Sequence, residues 1–206
     1  MSIYGQSYGS SSKGEIFLNG KRIFPSTPKK ALNTGIGYVS EDRKTLGLIL
    51  IQDVKTNISI SSLKKLSKMG IVSSHEEILA AEKYKDTLRI KTPSINQLAR
   101  NLSGGNQQKV VLSRCLLVNP DIFIVDEPTR GIDVGAKFEI HSILRDLVSQ
   151  GKSVIIITSE LPEALSLADR IYVMNEGKIK GMLTHEEATQ EKIMHLALVH
   201  QEDKSI

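Results

Sequence analysis

Apolar residues follow two rhythms along this chain. Strand-length runs, "GEIF" with "KRIF" after it, "GIGYVSE" at 35–41, "DIFIVDE" and "SVIIITS", are each bounded by glycine, asparagine or charged residues. The first two flank Asn19-Gly20, a strong hairpin signal, so a β-hairpin is expected there. From about Asp53 to Val118 the spacing turns helical. Ser74 and Glu77 form a capping box, Ile78, Ala81, Lys85 and Leu88 fall on one face, and Pro93 is expected to stop the run. Farther on, a helix from about Gly135 to Gln150 carries Ala136, Ile140, Ile143, Leu144 and Leu147 on one stripe. "SVIIITS", "LPEALSLA" and "RIYVMNEGKIKG" continue the alternation of strand and helix.

Near-continuous apolar strands separated by amphipathic helices predict an α/β fold with a mostly parallel sheet buried on both faces. Ligands of such sheets lie beyond the carboxyl ends of the strands. "DE" at 126–127 and "TSE" at 158–160 stand at those ends. Four segments are expected: a flexible lead-in at 1–13, a β-rich part at 14–52, a helical subdomain at 53–118 and an α/β core at 119–206.

Composition narrows the function classes. With 206 residues, 40% apolar and 24% charged, the chain suffices for one sizeable core. A formal charge of +4, spread thinly, predicts no nucleic-acid partner. The single cysteine, Cys115, lies in the apolar run "VVLSRCLLV", fits a reducing compartment and reads as a buried structural thiol. The five histidines show no metal-ligand spacing, so no structural metal is expected. No run approaches the roughly 20 apolar residues of a membrane span, and "MSIYGQSYGSSSKG" lacks the apolar stretch of a signal peptide.

Two motifs carry chemistry. Ser103-Gly104-Gly105 precedes a helix expected to begin near Asn106; adjacent glycines let an anion approach backbone N–H groups and a positive helix end, although such a turn is otherwise only a helix cap. At the exit of "IFIV", Asp126 and Glu127 stand side by side. Asp126 suits Mg²⁺ coordination and Glu127 suits orienting or deprotonating a water, the alternative being an exposed acidic pair that caps the next turn.

The order of glycine turn, helix, strand, acidic pair and "RGID" resembles the ATPase domains of ABC transporters, through "LSGGNQQK", "IFIVDEP" and "GIDVGA". Together with "GYVSEDRK" and "TSELPE", these motifs look like the C-terminal ATPase domain of tandem subunits that energise ribose, galactose or xylose-type importers. The resemblance covers about Gly14 to His200. It implies an ABC-type P-loop NTPase core with an N-terminal antiparallel β piece and a helical signature subdomain. It implies ATP and Mg²⁺ as cofactors, with Ser103, Gly104, Gly105 and Asn106 at the signature, Asp133 in the D-loop, Asp126 on Mg²⁺ and Glu127 as the catalytic carboxylate. Glu41 takes the Q-loop position, where glutamine is usual, and is assigned to Mg²⁺. Ser159 takes the position of the switch histidine, for which it is too short and uncharged.

No stretch of the sequence reads G-x-x-x-x-G-K-[ST]. The chain is therefore expected to begin just after its own phosphate loop, to be inactive alone, to expose an apolar sheet edge or face, and to self-associate. The implied partners are a second ATPase domain paired head to tail, a membrane permease contacted through about residues 41–95, and indirectly a sugar-binding protein. The implied location is the cytoplasmic side of the membrane. A non-transport ABC ATPase and a regulatory or structural half without nucleotide of its own remain alternatives.

Overall fold

The structure is a computed structural model that describes residues 2–4 and 14–198. The lead-in expected at 1–13 lies mostly outside the described residues. Two compact units divide the chain, Met1–Ile157 and Thr158–Ile206.

In the first unit β1 (Ile16–Leu18) and β2 (Lys21–Ile23) form the expected antiparallel hairpin. A helix not expected from the sequence, α1 (Pro28–Asn33), follows. Thr27 caps it by accepting from the Lys30 amide at 3.2 Å, and Pro28 has no N–H to leave unpaired in the first turn. The sheet that carries the site has three parallel strands in the order β3 (Ile36–Val39), β6 (Ile122–Asp126), β7 (Ser153–Ile157). Ile36 pairs with Ile122 and Val39 with Val125, while Asp126 pairs with Ile157. Phe123 and Val125 of the central strand are wholly buried. The edge strand differs from the expectation of two buried faces, because Ile155 and Ile157 remain 51% and 48% exposed.

Between β3 and β6 lie α2 (Val54–Ser59), a two-residue ladder of β4 (Ser67–Lys68) with β5 (Ile71–Val72), α3 (Ser74–Thr87) and α4 (Gly104–Val118). Val54, Ile58, Ala81, Leu88, Val110 and Leu112 are buried apolar residues of these helices and their ends. Asn57, wholly buried, pins residues 49–53. Its Oδ1 accepts from the Ile49 amide at 2.8 Å, and its Nδ2 donates to the Ile49 and Asp53 carbonyls at 3.0 and 2.9 Å. The capping residue of α3 is Ser73 rather than Ser74; its Oγ accepts from the Glu76 amide, and Glu77 instead accepts from Ser59 Oγ at 2.6 Å. Nor does Pro93 stop that helix. It ends at Thr87, where Arg89 turns left-handed (φ 50°) and Ile90 donates to the Lys85 carbonyl at 2.8 Å. The last helix of this unit, α5 (Val134–Ser149), buries Ala136, Ile140, Leu144 and Leu147 of the predicted stripe, while Ile143 is only half-buried.

The second unit holds α6 (Leu161–Leu167), β8 (Arg170–Asn175), β9 (Lys178–Thr184) and α7 (Gln190–Leu198). "RIYVMNEGKIKG" is thus an antiparallel hairpin and not a further parallel strand, because Glu176-Gly177 turns the chain back with φ of 50° and 73°. Helix α7 packs on this hairpin, and its Ile193 is buried.

Candidate functional site

Strand β6 delivers Asp126 to its carboxyl end, and the next residue, Glu127, leaves the strand in the left-handed region (φ 44°) while its amide donates to the Ile157 carbonyl at 2.8 Å. Such a backbone costs about 1–3 kcal/mol and persists only where surroundings impose it. Here the parallel ladder to β7 is what imposes it. On the other side, Tyr38 of β3 donates its hydroxyl to Asp126 Oδ2 at 2.7 Å. That bond fixes one carboxylate oxygen of Asp126 and leaves the other without a hydrogen bond among the described residues. Tyr38 also lines a cavity of about 240 Å³ with Tyr4, Ser40, Leu46, Arg114 and Cys115. Burial pushes the Cys115 thiol up to about 12, so it is no nucleophile.

Helix α4 starts at Gly104, two residues before the predicted start, with Ser103 as its exposed capping residue. The Ser103 side chain accepts no backbone bond; its Oγ accepts from Asn106 Nδ2 at 2.9 Å, and Asn106 Oδ1 accepts from the Lys91 amide at 2.8 Å. The first turn of a 15-residue helix is therefore uncapped by its own serine, which suits an anion supplied from outside. The glycines also have a packing role. A Cβ at Gly105 would lie 2.4 Å from Ala136 Cβ, and one at Gly104 would lie 2.9 Å from an Arg43 guanidinium nitrogen and 3.2 Å from the Gly131 carbonyl oxygen. The start of α4 thus abuts the start of α5, where Asp133 Oδ1 accepts from the Ala136 amide at 2.9 Å. Lys109, one turn into α4, is 1% exposed and joins the two helices by pairing with Glu139 at 2.6 Å; it also donates to the Arg89 carbonyl at 3.0 Å.

Glu41 pairs with the guanidinium of Arg130. Two residues on, Arg43 donates to the Arg130 and Gly131 carbonyls at 2.8 and 3.2 Å from a single π-helical turn, Arg43–Gly47. Asp42 builds that turn by accepting from the Lys44 and Thr45 amides at 3.0 Å, and the Thr45 bonds hold its carboxyl below the usual carboxylate range. Residues 41–43, 103–105 and 130–133 therefore form one cluster. Ser159 is exposed and belongs to the second unit, at the foot of α6. Sequence reasoning missed Tyr38, Arg43 and Arg130. Arg43 lay in "GYVSEDRK", where only Glu41 was given a role, and no local signal marks its carbonyl partners 87 and 88 residues away.

The sequence profile described as ABC transporter matches residues 1–130, more than half of the chain. The chain belongs to the ABC transporter family. It is 54% identical over 196 residues to the L-arabinose transport ATP-binding protein of Geobacillus stearothermophilus, covering 95% of this chain and 38% of that protein. It is 53% identical to the xylose import ATP-binding protein of Thermoanaerobacter pseudethanolicus, covering 95% and 39%, and 49% identical to the ribose import ATP-binding protein of Clostridium tetani, covering 91% and 37%. The chain spans under two fifths of the length of each of these three relatives. The fold is that of ABC ATPase cassettes. A solved ATP-binding cassette of an ABC transporter superposes with a TM-score of 0.77 at 23% identity, over 95% of this chain and 80% of its own. A dimeric cassette in a post-hydrolysis state, bound to ADP and phosphate, superposes with 0.69 at 22%, over 84% and 74%.

The residues fit the nucleotide that this family uses in part. The uncapped α4 start fits phosphate, and the Asp126 oxygen without a hydrogen bond fits a Mg²⁺ whose other ligands come from phosphates and water. Glu41 fits less well, since its carboxylate is engaged by Arg130.

Proposed function

We propose that the chain is the ATPase half of a sugar importer that contributes its signature turn to ATP held by a partner domain. One observation carries this reading: the Ser103–Gly105 turn and the Gly131–Asp133 turn sit against each other, bridged by Arg43, so that two helix starts meet in one cluster. The names of these relatives, which concern arabinose, xylose and ribose, support a pentose importer.

ATP bound with Mg²⁺ supplies the free energy for transport through the hydrolysis of its terminal phosphate. Ser103 Oγ and the amides at the start of α4 bind and orient that phosphate from the partner side. Asp126, held by Tyr38, and Glu127 serve the chain's own site, where Asp126 would hold Mg²⁺ and Glu127 would take the proton of the water that attacks the terminal phosphate. Glu41 would have to give up Arg130 before it could help to hold Mg²⁺, so this second site is the weaker one. The chain works at the cytoplasmic face of the membrane against a permease, with a sugar-binding protein on the far side. No described helix is long and apolar enough to cross a membrane.

The test uses the whole transporter in vesicles. Ser103→Arg abolishes sugar uptake, whereas Glu127→Gln lowers it severalfold at most. Equal losses would sink the assignment of the signature to a partner's ATP. For the isolated chain, calorimetric titration with Mg·ATP gives no tight binding; a micromolar site there would overturn the reading.

A further inference from the structure

Three hairpin turns of the described chain share one geometry: a two-residue tip with φ positive at both places. The tips are Asn19-Gly20 (50°, 73°), Met69-Gly70 (52°, 82°) and Glu176-Gly177 (50°, 73°). Asparagine, aspartate and glycine suit the first place, because a short polar side chain tolerates the left-handed region. The Asn19 tip follows this pattern; the β8–β9 tip places a glutamate there and the β4–β5 tip a methionine. That choice strains the backbone, and packing offsets none of it, since Met69 is fully exposed (101%) and Ile71 is 76% exposed.

The chain that flanks this tip is rich in lysine. Residues 54–75 contain Lys55, Lys64, Lys65 and Lys68 and no aspartate or glutamate. Lys65 donates to the Leu117 carbonyl at 3.3 Å, whereas Lys64 and Lys68 are exposed and their side chains have no hydrogen bond or ion pair among the described residues. The flanking carboxylates are Asp53, which accepts from the Thr56 amide at 2.7 Å, and Glu76 and Glu77 at the start of α3, of which Glu77 accepts from Ser59. A strained, protruding apolar tip beside unpaired lysines is complementary to a surface that is soft, apolar beneath and negatively charged at its rim.

We propose that the β4–β5 hairpin is a membrane-surface contact, with Met69 and Ile71 entering the headgroup layer of an anionic phospholipid leaflet while Lys64 and Lys68 meet lipid phosphates. Methionine suits this place because its unbranched, flexible side chain adapts to irregular apolar surroundings. Two apolar side chains and two lysines give weak, reversible attachment that salt suppresses. The contact would hold a peripheral domain flat to the bilayer independently of any permease. It does not depend on the nucleotide reading, and the chain itself suffices to test it.

The experiment is co-sedimentation of the chain with vesicles of phosphatidylcholine, alone or mixed with phosphatidylglycerol. Binding is expected to the mixed vesicles and to fall as salt rises. Met69→Asn installs the residue that this backbone favours, so the variant folds at least as well, which circular dichroism and thermal melting confirm, yet its partition falls about tenfold. Lys64→Gln and Lys68→Gln each lower it about fivefold. Equal binding to both vesicle types, no binding to either, or undiminished binding of Met69→Asn would each overturn the proposal. Loss of permease association by Met69→Asn without any binding to lipid vesicles would overturn it in favour of a protein partner.

Discussion

Gly105→Ala separates the two reasons for a glycine in the signature turn. The new Cβ would stand 2.4 Å from Ala136 Cβ, an atom fixed to the backbone of α5 that cannot swing aside. Ordinary carbon contacts lie at about 3.5–4.0 Å, so the two helices must part by roughly 1.1–1.6 Å. Overpacking of this kind costs about 1–3 kcal/mol, against a gain of up to about 1 kcal/mol for alanine over glycine in a helix. Urea denaturation should therefore show a net loss of up to about 3 kcal/mol. Ala136→Gly reopens the space, and the double variant should be more stable than the sum of the single effects by at least about 1 kcal/mol. If Gly105→Ala proved as stable as the parent and the coupling were near zero, the packing argument would fail. The glycine would then be left with phosphate approach alone.

Tyr38→Phe removes the 2.7 Å hydroxyl bond to Asp126 and should lower stability by about 1–2 kcal/mol in the same assay, with no change in the secondary structure seen by circular dichroism. The Asp42 carboxyl, depressed in the folded chain, supports the π-helical turn at neutral pH. Because the folded value lies below the ordinary one of 3.8, that support is complete above about pH 4 and is lost as pH falls through the folded value. Amide exchange at Lys44 and Thr45 should accelerate there before the core at Phe123 and Val125 opens. Cys115, with its thiol pushed up to about 12 by burial, should resist iodoacetamide at pH 8 and react only on unfolding. Rapid alkylation of the native chain would contradict its burial.

Much of the site can be read along the chain. The β1–β2 turn, the run Ile122–Val125 with Asp126 at its end, and the α5 stripe of Ala136, Ile140, Leu144 and Leu147 depend on neighbours within a few residues, so periodicity and turn chemistry suffice to place them. Boundaries slipped where the deciding contact was tertiary. Helix α3 takes Ser73 as its cap while Glu77 is drawn to Ser59, 18 residues away, and its end is set by a left-handed Arg89 and not by Pro93.

What the sequence alone determined is the set of parts: the strands, the helices, a glycine turn and an acidic pair at the end of a buried strand. Only the tertiary structure decided how the parts meet. Arg43 reaches carbonyls 87 and 88 residues on, Tyr38 reaches Asp126 across 88 residues, and Gly105 must be bare because Ala136 of another helix occupies the space. Each of these is a contact between segments distant in the chain, and hydrophobic pattern carries no information about which distant atom will fill a given volume.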